Sequence, residues 1–261
     1  MIFQFNGSPL IEIPAKIPTY NVLCDKFGEE FLDKYNKIVE SDFNNHPLLK
    51  CLSLSKYSTV EGSNAYSVVL ANRILNPLGL RTVNPVDIQK IIDSNNIPRF
   101  NCYFTVPDRS IDLGLLLTDA NDSFIEEQGA PRYLANQLGK QAKKLRYKFS
   151  DENPLFLKPS DLELSIDNNS PNGLGFKIKK TAKLCNAPQF IFDNDYKKFN
   201  KTNKQGFPIF DKDGEREFYF CSFTRSLNRL SFNELNRLSL ECYNLSYSSD
   251  KKYIMVAGET K

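Results

Sequence analysis

The spacing of the apolar residues changes near residue 150, and this change constrains the fold more than any other feature of the sequence. Before that point, apolar residues recur at intervals of three and four, which is typical of amphipathic helices. Beyond it they alternate with polar residues, which is typical of strands that bury one face. We therefore expect an α+β fold, with a helix-rich part and a β-hairpin over residues 1–150 and a mostly antiparallel β-rich part with one helix over residues 151–261. The connection between the two parts is short, so one continuous domain is the alternative.

Three helices are predicted in the first part from periodicity and from their end signals. Residues 25–41 form the first, residues 63–75 form the second with Ser63 as its N-cap, and the third begins at Pro85. Two strands around the turn-like segment PDRS follow them. This order is also that of a winged helix, which would place the third helix in a DNA groove. Residues 60–118 carry five basic and five acidic side chains, however, and a surface that follows phosphates should be basic.

The segment APRYLANQLGKQAKKLRYKF predicts a fourth helix, over residues 131–148. The apolar side of this helix contains Leu134, Leu138, Ala142 and Leu145. The basic residues, with Arg146 at the boundary between the two sides, are Lys140, Lys143, Lys144 and Lys148. Because an amphipathic helix must expose a polar face, these basic residues are either solvated or in contact with a polyanion or a protein partner.

Five segments of the second part alternate as strands do, namely LELSID, LGFKIKK, PQFIF, FPIF and EFYFCSF. Turns are expected at the Asn-Gly and Asp-Gly pairs that end at Gly173 and Gly214, and we predict a positive φ in both. Ser231 with Glu234 three residues later forms a capping-box pattern, which predicts the one helix of this part. The segment KYIMVAG predicts a last strand.

Charge is distributed unevenly along the chain. Residues 1–130 contain 11 basic and 16 acidic side chains, whereas residues 131–261 contain 23 basic and 15 acidic ones. A polyanion would therefore meet the second part. The sequence has no apolar run long enough to span a bilayer and no export signal, so we expect a soluble, intracellular protein of the cytoplasm or of a plastid, with no membrane partner.

Cysteine and histidine provide few of the constellations that catalysis or metal binding uses. The six cysteines have wide, irregular spacings and no C-x-x-C pair, so we expect free thiols in place of a metal site or a disulfide framework. The single histidine, His46, lies five residues before Cys51. A Cys–His pair is the functional interpretation of this spacing, and a loop histidine with no special role is the favoured one.

Two pairs of carboxylates at alternate positions are the remaining candidates for metal chemistry. Asp193 with Asp195, and Asp211 with Asp213, would each project to one face of a strand and could share a hard cation. A turn is the favoured interpretation, because Asp-Gly beside alternating apolar residues is a strong hairpin signal. The segment NGLGFKIKK matches no phosphate-binding motif. We therefore expect no metal, no cofactor and no catalytic residue.

The remaining basic residues define a candidate nucleic-acid-binding set. The set joins the predicted fourth helix to two later lysine-rich segments, and it consists of Lys140, Lys143, Lys144, Arg146, Lys148, Lys177, Lys179, Lys180, Lys197 and Lys198. Aromatic residues interleave with these segments, as in proteins that bind single strands by base stacking; they are Tyr147, Phe149, Phe176, Tyr196, Phe199 and Phe223. The same aromatics are also candidates for the core, and we expect at least half of them to be buried.

The second part of the chain contains IDNNSPNGLGFKI, APQFI, GFPIFDKDGEREFY and SLNRLSF. Through the turn and strand pattern of these segments it resembles uncharacterised conserved proteins of cyanobacteria. The resemblance implies no activity. It implies a cyanobacterial, plastid or plasmid setting.

The sequence thus favours a non-enzymatic protein associated with DNA or RNA, related to a plasmid or phage, that contacts phosphates without reading base sequence. The first alternative is a structural or assembly protein that associates with itself through its β-rich part, and the second is a metal-dependent enzyme. Nucleic-acid binding requires the lysines on one face. Self-association requires an exposed apolar patch or sheet edge, and metal catalysis requires paired carboxylates in a pocket.

Overall fold

A computed structural model of the chain describes residues 4–5, 8–9, 11–13, 20–22, 25–54, 60–93, 110–118, 129–187, 197–221, 227–233, 237–241 and 245–258. The helices lie mainly toward the amino terminus, and most strand pairs are antiparallel. The predicted α+β fold class is therefore confirmed. The chain divides into two compact units, the first made of Met1–Asp112, Phe232–Leu235 and Ser246–Lys261, and the second of Leu113–Ser231 and Asn236–Leu245.

The described residues form helices and many short strands. The α-helices are α1 (Asp25–Phe43), α2 (Ala65–Leu75), α3 (Pro85–Asp93) and α4 (Gly129–Lys144). Short 3₁₀ helices occupy Pro47–Leu49, Asn76–Leu78 and Pro159–Asp161. The strands are β1 (Gln4–Phe5), β2 (Ser8–Pro9), β3 (Ile11–Ile13), β4 (Tyr20–Val22), β5 (Ser53–Leu54), β6 (Val60–Glu61), β7 (Leu80–Thr82), β8 (Ser110–Leu117), β9 (Leu155–Leu157), β10 (Leu162–Ile166), β11 (Leu174–Ile178), β12 (Cys185–Asn186), β13 (Lys197–Thr202), β14 (Pro208–Phe210), β15 (Arg216–Cys221), β16 (Leu227–Asn233), β17 (Arg237–Glu241), β18 (Lys252–Tyr253) and β19 (Met255–Gly258). No helix in these ranges combines the length and the apolar character needed to cross a membrane.

The first unit is built on helix packing and a small sheet. Helix α2 packs against α1 and against β7, which is the edge strand of an antiparallel sheet of order β3-β4-β19-β7. The apolar residues of α1 that recur every three to four positions are buried, among them Phe31, Tyr35 and Val39. Almost the whole of α2 is buried, with Arg73 exposed at its last turn. The predicted periodicity of the first two helices therefore corresponds to the helix faces that form this core.

Helix α2 begins one residue later than predicted. Its N-cap is Asn64, whose Oδ1 accepts a hydrogen bond from the Ser67 amide at 2.8 Å, while the Ser67 hydroxyl accepts from the Asn64 amide at 2.9 Å. The prediction of Ser63 as the cap is wrong. Ser63 is instead fully buried, and its hydroxyl donates to Oδ2 of Asp112 at 3.0 Å, because a buried carboxylate needs a donor.

The predicted start of the third helix at Pro85 is confirmed. Asn84 precedes it and accepts a hydrogen bond from the Val86 amide at 3.0 Å. In the first turn, Asp87 is paired with Arg81, whose Nη2 donates to the Asp87 carboxylate at 3.0 Å. A helix that enters a DNA groove should present basic groups to the phosphates. The first turn of α3 instead carries an acidic residue, and the neighbouring arginine is paired with it, which disfavours the winged-helix alternative.

The second unit contains strands in the order β14-β13-β15-β17-β16, together with pairing of β9 to β8 and to β12, and a separate hairpin of β10 and β11. Leucines and phenylalanines fill its core. Phe156 and Phe207 meet edge to face with their centroids 5.1 Å apart, and Phe199 and Phe218 are fully buried. The strand predictions for LELSID, LGFKIKK, FPIF and EFYFCSF are confirmed by β10, β11, β14 and β15.

The helix predicted from the capping-box pattern at Ser231 is wrong. Ser231 lies buried inside β16, and the next described segment forms β17, which pairs in parallel with β15 and places Leu238 opposite Phe218. Leu238 and Leu240 alternate with polar residues as a strand requires, and this pairing outweighs the local capping signal. Glu234 lies outside the described residues.

The two glycines at the predicted turns are needed for different reasons. Gly173 has φ 77°, so the positive φ predicted there is confirmed. Gly214 does not have a positive φ, and that prediction is wrong. Glycine is required there because an added Cβ would lie 2.3 Å from the backbone nitrogen of Phe199, on the neighbouring strand β13. The first strand of the predicted hairpin near residue 104 and the segment PQFIF lie outside the described residues.

Helix α4 is shorter than predicted, because the chain leaves the helix after Lys144 and not after Lys148. The amide of Tyr147 donates to the carbonyl of Ala142, and Arg146 takes a left-handed conformation with φ 66°. This is the hydrogen-bond pattern of a Schellman C-cap, which glycine most often completes. The predictions that Leu145 lies on the buried side and that residues 145–148 are helical are therefore wrong; the Leu145 side chain is 40% exposed.

Replacing Arg146 by glycine is expected to raise the free energy of unfolding by about 0.5–1 kcal/mol, because an L-residue pays a steric cost in the left-handed region that glycine avoids. The measurement is the urea midpoint of the purified variant. Lys140→Gly is the matched control, since it also exchanges an exposed basic residue for glycine but inside α4. It should lower stability by about 1 kcal/mol. If the urea midpoints of both variants shifted by the same amount in the same direction, the capping role of Arg146 would be contradicted.

Candidate functional site

Helix α4 is held beside strand β11 by the side chain of Gln141. Its Nε2 donates to the carbonyl of Phe176 at 3.0 Å, and its Oε1 accepts from the amide of Ile178 at 2.8 Å. The side-chain amide thus satisfies two backbone groups of β11, as a neighbouring strand would. Two basic segments that are far apart in sequence are joined by this contact, because Lys140 adjoins Gln141 and Lys177 lies between Phe176 and Ile178.

The residues after α4 are fixed close to its carboxyl end. The hydroxyl of Tyr147 donates to the carbonyl of Ala182 at 3.2 Å, in the segment that follows β11. The ammonium of Lys143 lies 5.5 Å from the ring centroid of Phe149, within the range of a cation–π contact. These contacts hold the basic residues on both sides of Tyr147 in the same region as those of the helix.

The exposed basic side chains of this region define what we name the α4–β11 surface. They are Lys140, Lys143, Lys144, Arg146, Lys148, Lys177, Lys180 and Lys183. Over residues 129–187 the chain has eleven basic and five acidic side chains, a net formal charge of +6. The sequence set did not include Lys183, which stands alone in TAKLC. The contact between Tyr147 and Ala182 is the signal that places it here.

One lysine of the predicted set has a hydrogen-bond partner within the fold, and another lies across a strand pair from an acidic residue. Lys179 is half-buried, and its ammonium donates to the carbonyl of Ser160 at 2.7 Å. Lys177 lies directly opposite Glu163 in the β10–β11 pair, which is a favourable cross-strand arrangement of opposite charges. Lys179 therefore serves the structure, and the charge of Lys177 is partly offset. The strongest basic character of the α4–β11 surface lies on α4 and on the residues that follow it.

The helix dipole gives a structural reason for the position of two of these lysines. Lys143 and Lys144 lie in the last turn of α4, where cations interact favourably with the helix dipole by about 0.3–1 kcal/mol each. At the first turns, the hydroxyl of Tyr133 donates to Oδ2 of Asp167 at 2.8 Å. This hydrogen bond raises the pKa of Tyr133, because the carboxylate favours the protonated phenol. Asp167 thus bounds the basic region at the amino-terminal end of α4.

The aromatic residues near the basic segments give little support to base stacking on this surface. Phe176 and Phe199 are buried in the core, as expected for part of the set. Tyr147 and Phe149 are half-buried and occupied by the contacts described above. Tyr196 and Phe223 lie outside the described residues. Among the described residues, the α4–β11 surface therefore offers charge without an open stacking face.

Lys197 and Lys198 belong to a different part of the second unit. Both lie on β13, which pairs with β14 and β15. Together with Phe210, Asp211 and Lys212 they line a cleft of about 510 Å³. The predicted set is thus divided between the α4–β11 surface and this cleft.

The geometry does not support a Cys–His pair. Nδ1 of His46 accepts a hydrogen bond from the Leu48 amide at 3.3 Å and caps the 3₁₀ helix that follows. The thiol of Cys51 accepts from Nδ2 of Asn64 at 3.3 Å. Burial raises the pKa of Cys185, so this thiol is protonated at neutral pH and is a poor nucleophile.

The paired carboxylates within the described residues belong to a turn, as favoured from the sequence. Oδ1 of Asp211 accepts from the amide of Asp213 at 3.2 Å, and the carbonyl of Asp211 accepts from Gly214 at 3.1 Å. Asp193 and Asp195 lie outside the described residues. Where side chains are described, no group of three or more His, Cys, Asp or Glu residues is placed to hold a metal ion.

Neither a family model, nor a curated protein, nor a solved structure matches this chain. Its function is therefore inferred from the chemistry of the α4–β11 surface.

Proposed function

We propose that this protein binds DNA or RNA through the α4–β11 surface, by contacts to phosphates that are independent of base sequence. The observation that carries the proposal is the attachment of α4 to β11 through Gln141, which gathers exposed basic residues from separate segments into one region. Neutralisation of phosphates by lysine and arginine supplies essentially all of non-specific nucleic-acid affinity. A net charge of +6 over residues 129–187 gives this region the required sign.

The composition of the α4–β11 surface supports binding without base recognition. Seven of its eight exposed basic residues are lysines, which act as point charges toward phosphate, and Arg146 is the one arginine. Lysine can also contact guanine, but the planar groups that pair with base edges at two points are those of arginine, asparagine and glutamine. The nearby Gln141 is committed to β11 and cannot reach a base. Phosphate contact is thus the chemistry that these side chains perform best.

Self-association receives weaker support. The exposed large apolar side chains among the described residues are Leu78, Leu145, Ile166, Ile209 and Tyr247. Each lies in a different element or loop, so no helix or strand whose side chains are described presents a continuous apolar face. Interfaces of permanent oligomers are usually more apolar than this pattern provides.

Fluorescence anisotropy with labelled oligonucleotides tests the proposal. Strands of equal length and unrelated sequence should bind with similar affinity, because the contacted phosphates are the same. A peptide nucleic acid of identical base sequence, which lacks phosphates, is the matched control and should not bind. Binding of this uncharged strand, or a preference of about tenfold or more for one sequence, would contradict a phosphate-only mode.

A further inference from the structure

The β10–β11 hairpin has two outer edges, and the side chain of Gln141 on α4 covers the edge formed by β11. Within the hairpin, the amide of Lys179 donates to the carbonyl of Asp161 at 2.9 Å, which marks a pair of residues whose backbone groups face each other. Backbone groups alternate in direction along an antiparallel strand, so those of the even-numbered residues point away from the partner strand. On β11 these are the groups of Phe176 and Ile178, which Gln141 binds. On β10 the backbone groups of the even-numbered residues point toward the opposite edge.

The outer edge of β10 has no partner strand among the described residues. Its outward backbone groups belong to Leu162, Leu164 and Ile166. The Leu162 amide donates to the carbonyl of Pro159. No hydrogen bond between described residues involves the outward groups of Leu164 or Ile166. Because unpaired amides and carbonyls along a strand are a template for another strand, β10 offers a docking edge.

The side chains of this edge suit a further strand. On one face, Leu162 is buried and Leu164 is half-buried, but Ile166 is 42% exposed. A strand added beside β10 would cover the apolar groups that the hairpin leaves accessible here. On the other face, Glu163 lies opposite Lys177, so the negative charge that could protect this edge is partly offset.

From this geometry we propose that β10 pairs with β10 of a second copy of the chain, in an antiparallel arrangement centred on Leu164. The two Leu164 residues exchange a pair of hydrogen bonds, and each Ile166 amide donates to the Leu162 carbonyl of the other copy, which gives about four bonds. Glu163 then lies opposite Ser165 of the other copy, whose hydroxyl can donate to the carboxylate. Centring the pair on Glu163 instead would place two carboxylates opposite each other. The edge is thus complementary to itself, as a two-fold contact requires.

This pairing is a separate property from nucleic-acid binding. Strand β10 and the contacts of Gln141 lie on opposite edges of the hairpin, so each copy keeps its α4–β11 surface. The product is a sheet of four strands, which is more stable than an isolated hairpin. Because two strands of five residues bury little area, the dissociation constant should be on the order of 0.1 mM.

Sedimentation equilibrium of the full-length protein, from about 1 µM to about 1 mM, tests the proposal. The weight-average mass should rise with concentration from that of the monomer toward that of the dimer. It should stop there, because a two-fold contact closes on itself. A monomer throughout this range would overturn the proposal, and so would growth beyond the dimer.

Opposite substitutions of Ser165 test the register. Ser165→Lys places a cation opposite Glu163 of the other copy and should tighten the dimer about threefold or more, whereas Ser165→Glu places a like charge there and should weaken it by a similar factor. Within its own hairpin Ser165 is exposed and lies opposite Gly175, so neither change removes a side-chain contact across the strand pair. The matched controls Gln205→Lys and Gln205→Glu make opposite charge changes at an exposed position of the second unit and should give equal dimer affinities. Effects of the same sign at Ser165, or an equal difference at Gln205, would overturn the proposal.

Leu164→Pro removes the amide at the centre of the proposed pair. Because this amide points away from β11, the substitution leaves the hydrogen bonds of the hairpin intact, and proline is tolerated on an edge strand. The variant should remain a monomer over the whole concentration range, and its melting temperature verifies that it is folded. A folded variant that dimerises as the wild type does would contradict pairing through β10.

Discussion

Replacing Lys140, Lys143 and Lys144 together by glutamate is expected to reduce the affinity for DNA and RNA about a hundredfold or more near 0.1 M salt. These three side chains are exposed on α4, next to the residues that join it to β11. Each lost phosphate contact should also reduce, by about one, the magnitude of the slope of log K against log salt concentration. For three lost contacts this slope should therefore become less negative by about two to three. Anisotropy titrations at several salt concentrations measure both quantities.

A matched control separates this effect from net charge. Glutamate at Lys34, Lys37 and Lys50 makes the same change of charge at exposed positions of the first unit and should leave binding close to that of the wild type. Because Lys143 and Lys144 also stabilise the end of α4, a triple glutamine variant is the second test. It removes the charges without repulsion from the helix dipole and should still bind clearly more weakly. Equal losses in the control and in the α4 variants would contradict a localised site.

Replacing Gly62 by alanine is expected to destabilise the protein by about 3 kcal/mol or more, the largest effect on stability that we predict. Gly62 has φ 89°, a conformation that an L-residue adopts only at a cost. An added Cβ would also lie 2.0 Å from the carbonyl oxygen of Cys51, a backbone atom that cannot move freely. The loss should appear as a lower urea midpoint and a lower melting temperature.

Gly79→Ala is the control for Gly62. Gly79 has φ 70°, but nothing lies within 4 Å of a Cβ added there. The alanine variant at this position therefore measures the conformational cost alone, about 1 kcal/mol. The difference between the two variants reports the steric cost at Cys51. Similar losses in both variants would mean that the close approach at Gly62 does not constrain the fold.

The sequence predicted those elements whose signals are local. The buried faces of α1 and α2 and the alternation of β10 and β11 follow from residue spacing, which depends on the chain segment itself. Where the outcome depends on a distant partner, local signals were misleading. Ser231 carries a capping-box pattern, yet its segment is a strand because of its place in the sheet. Ser63 is a good cap by type, yet it hydrogen-bonds the buried Asp112.

The sequence indicated most of the basic residues of the candidate site, but it did not indicate how the fold arranges them. The lysines of α4 stand out because they cluster in sequence, whereas Lys183 is isolated and comes near them only through folding. Gln141, which joins α4 to β11, carries no signal in the sequence, because an amide on a helix is usually solvated. The separation of Lys197 and Lys198 into a cleft likewise follows from strand pairing that residue spacing does not specify.

Binding of the wild-type protein to single- and double-stranded DNA and RNA across a salt series tests the central proposal most directly. If the α4–β11 surface contacts phosphates, the logarithm of the binding constant should fall linearly with the logarithm of salt concentration. The expected slope is about −3 or steeper, which corresponds to about four or more neutralised phosphates. Absence of binding to all four nucleic acids at low salt, or an affinity that does not change with salt, would contradict it.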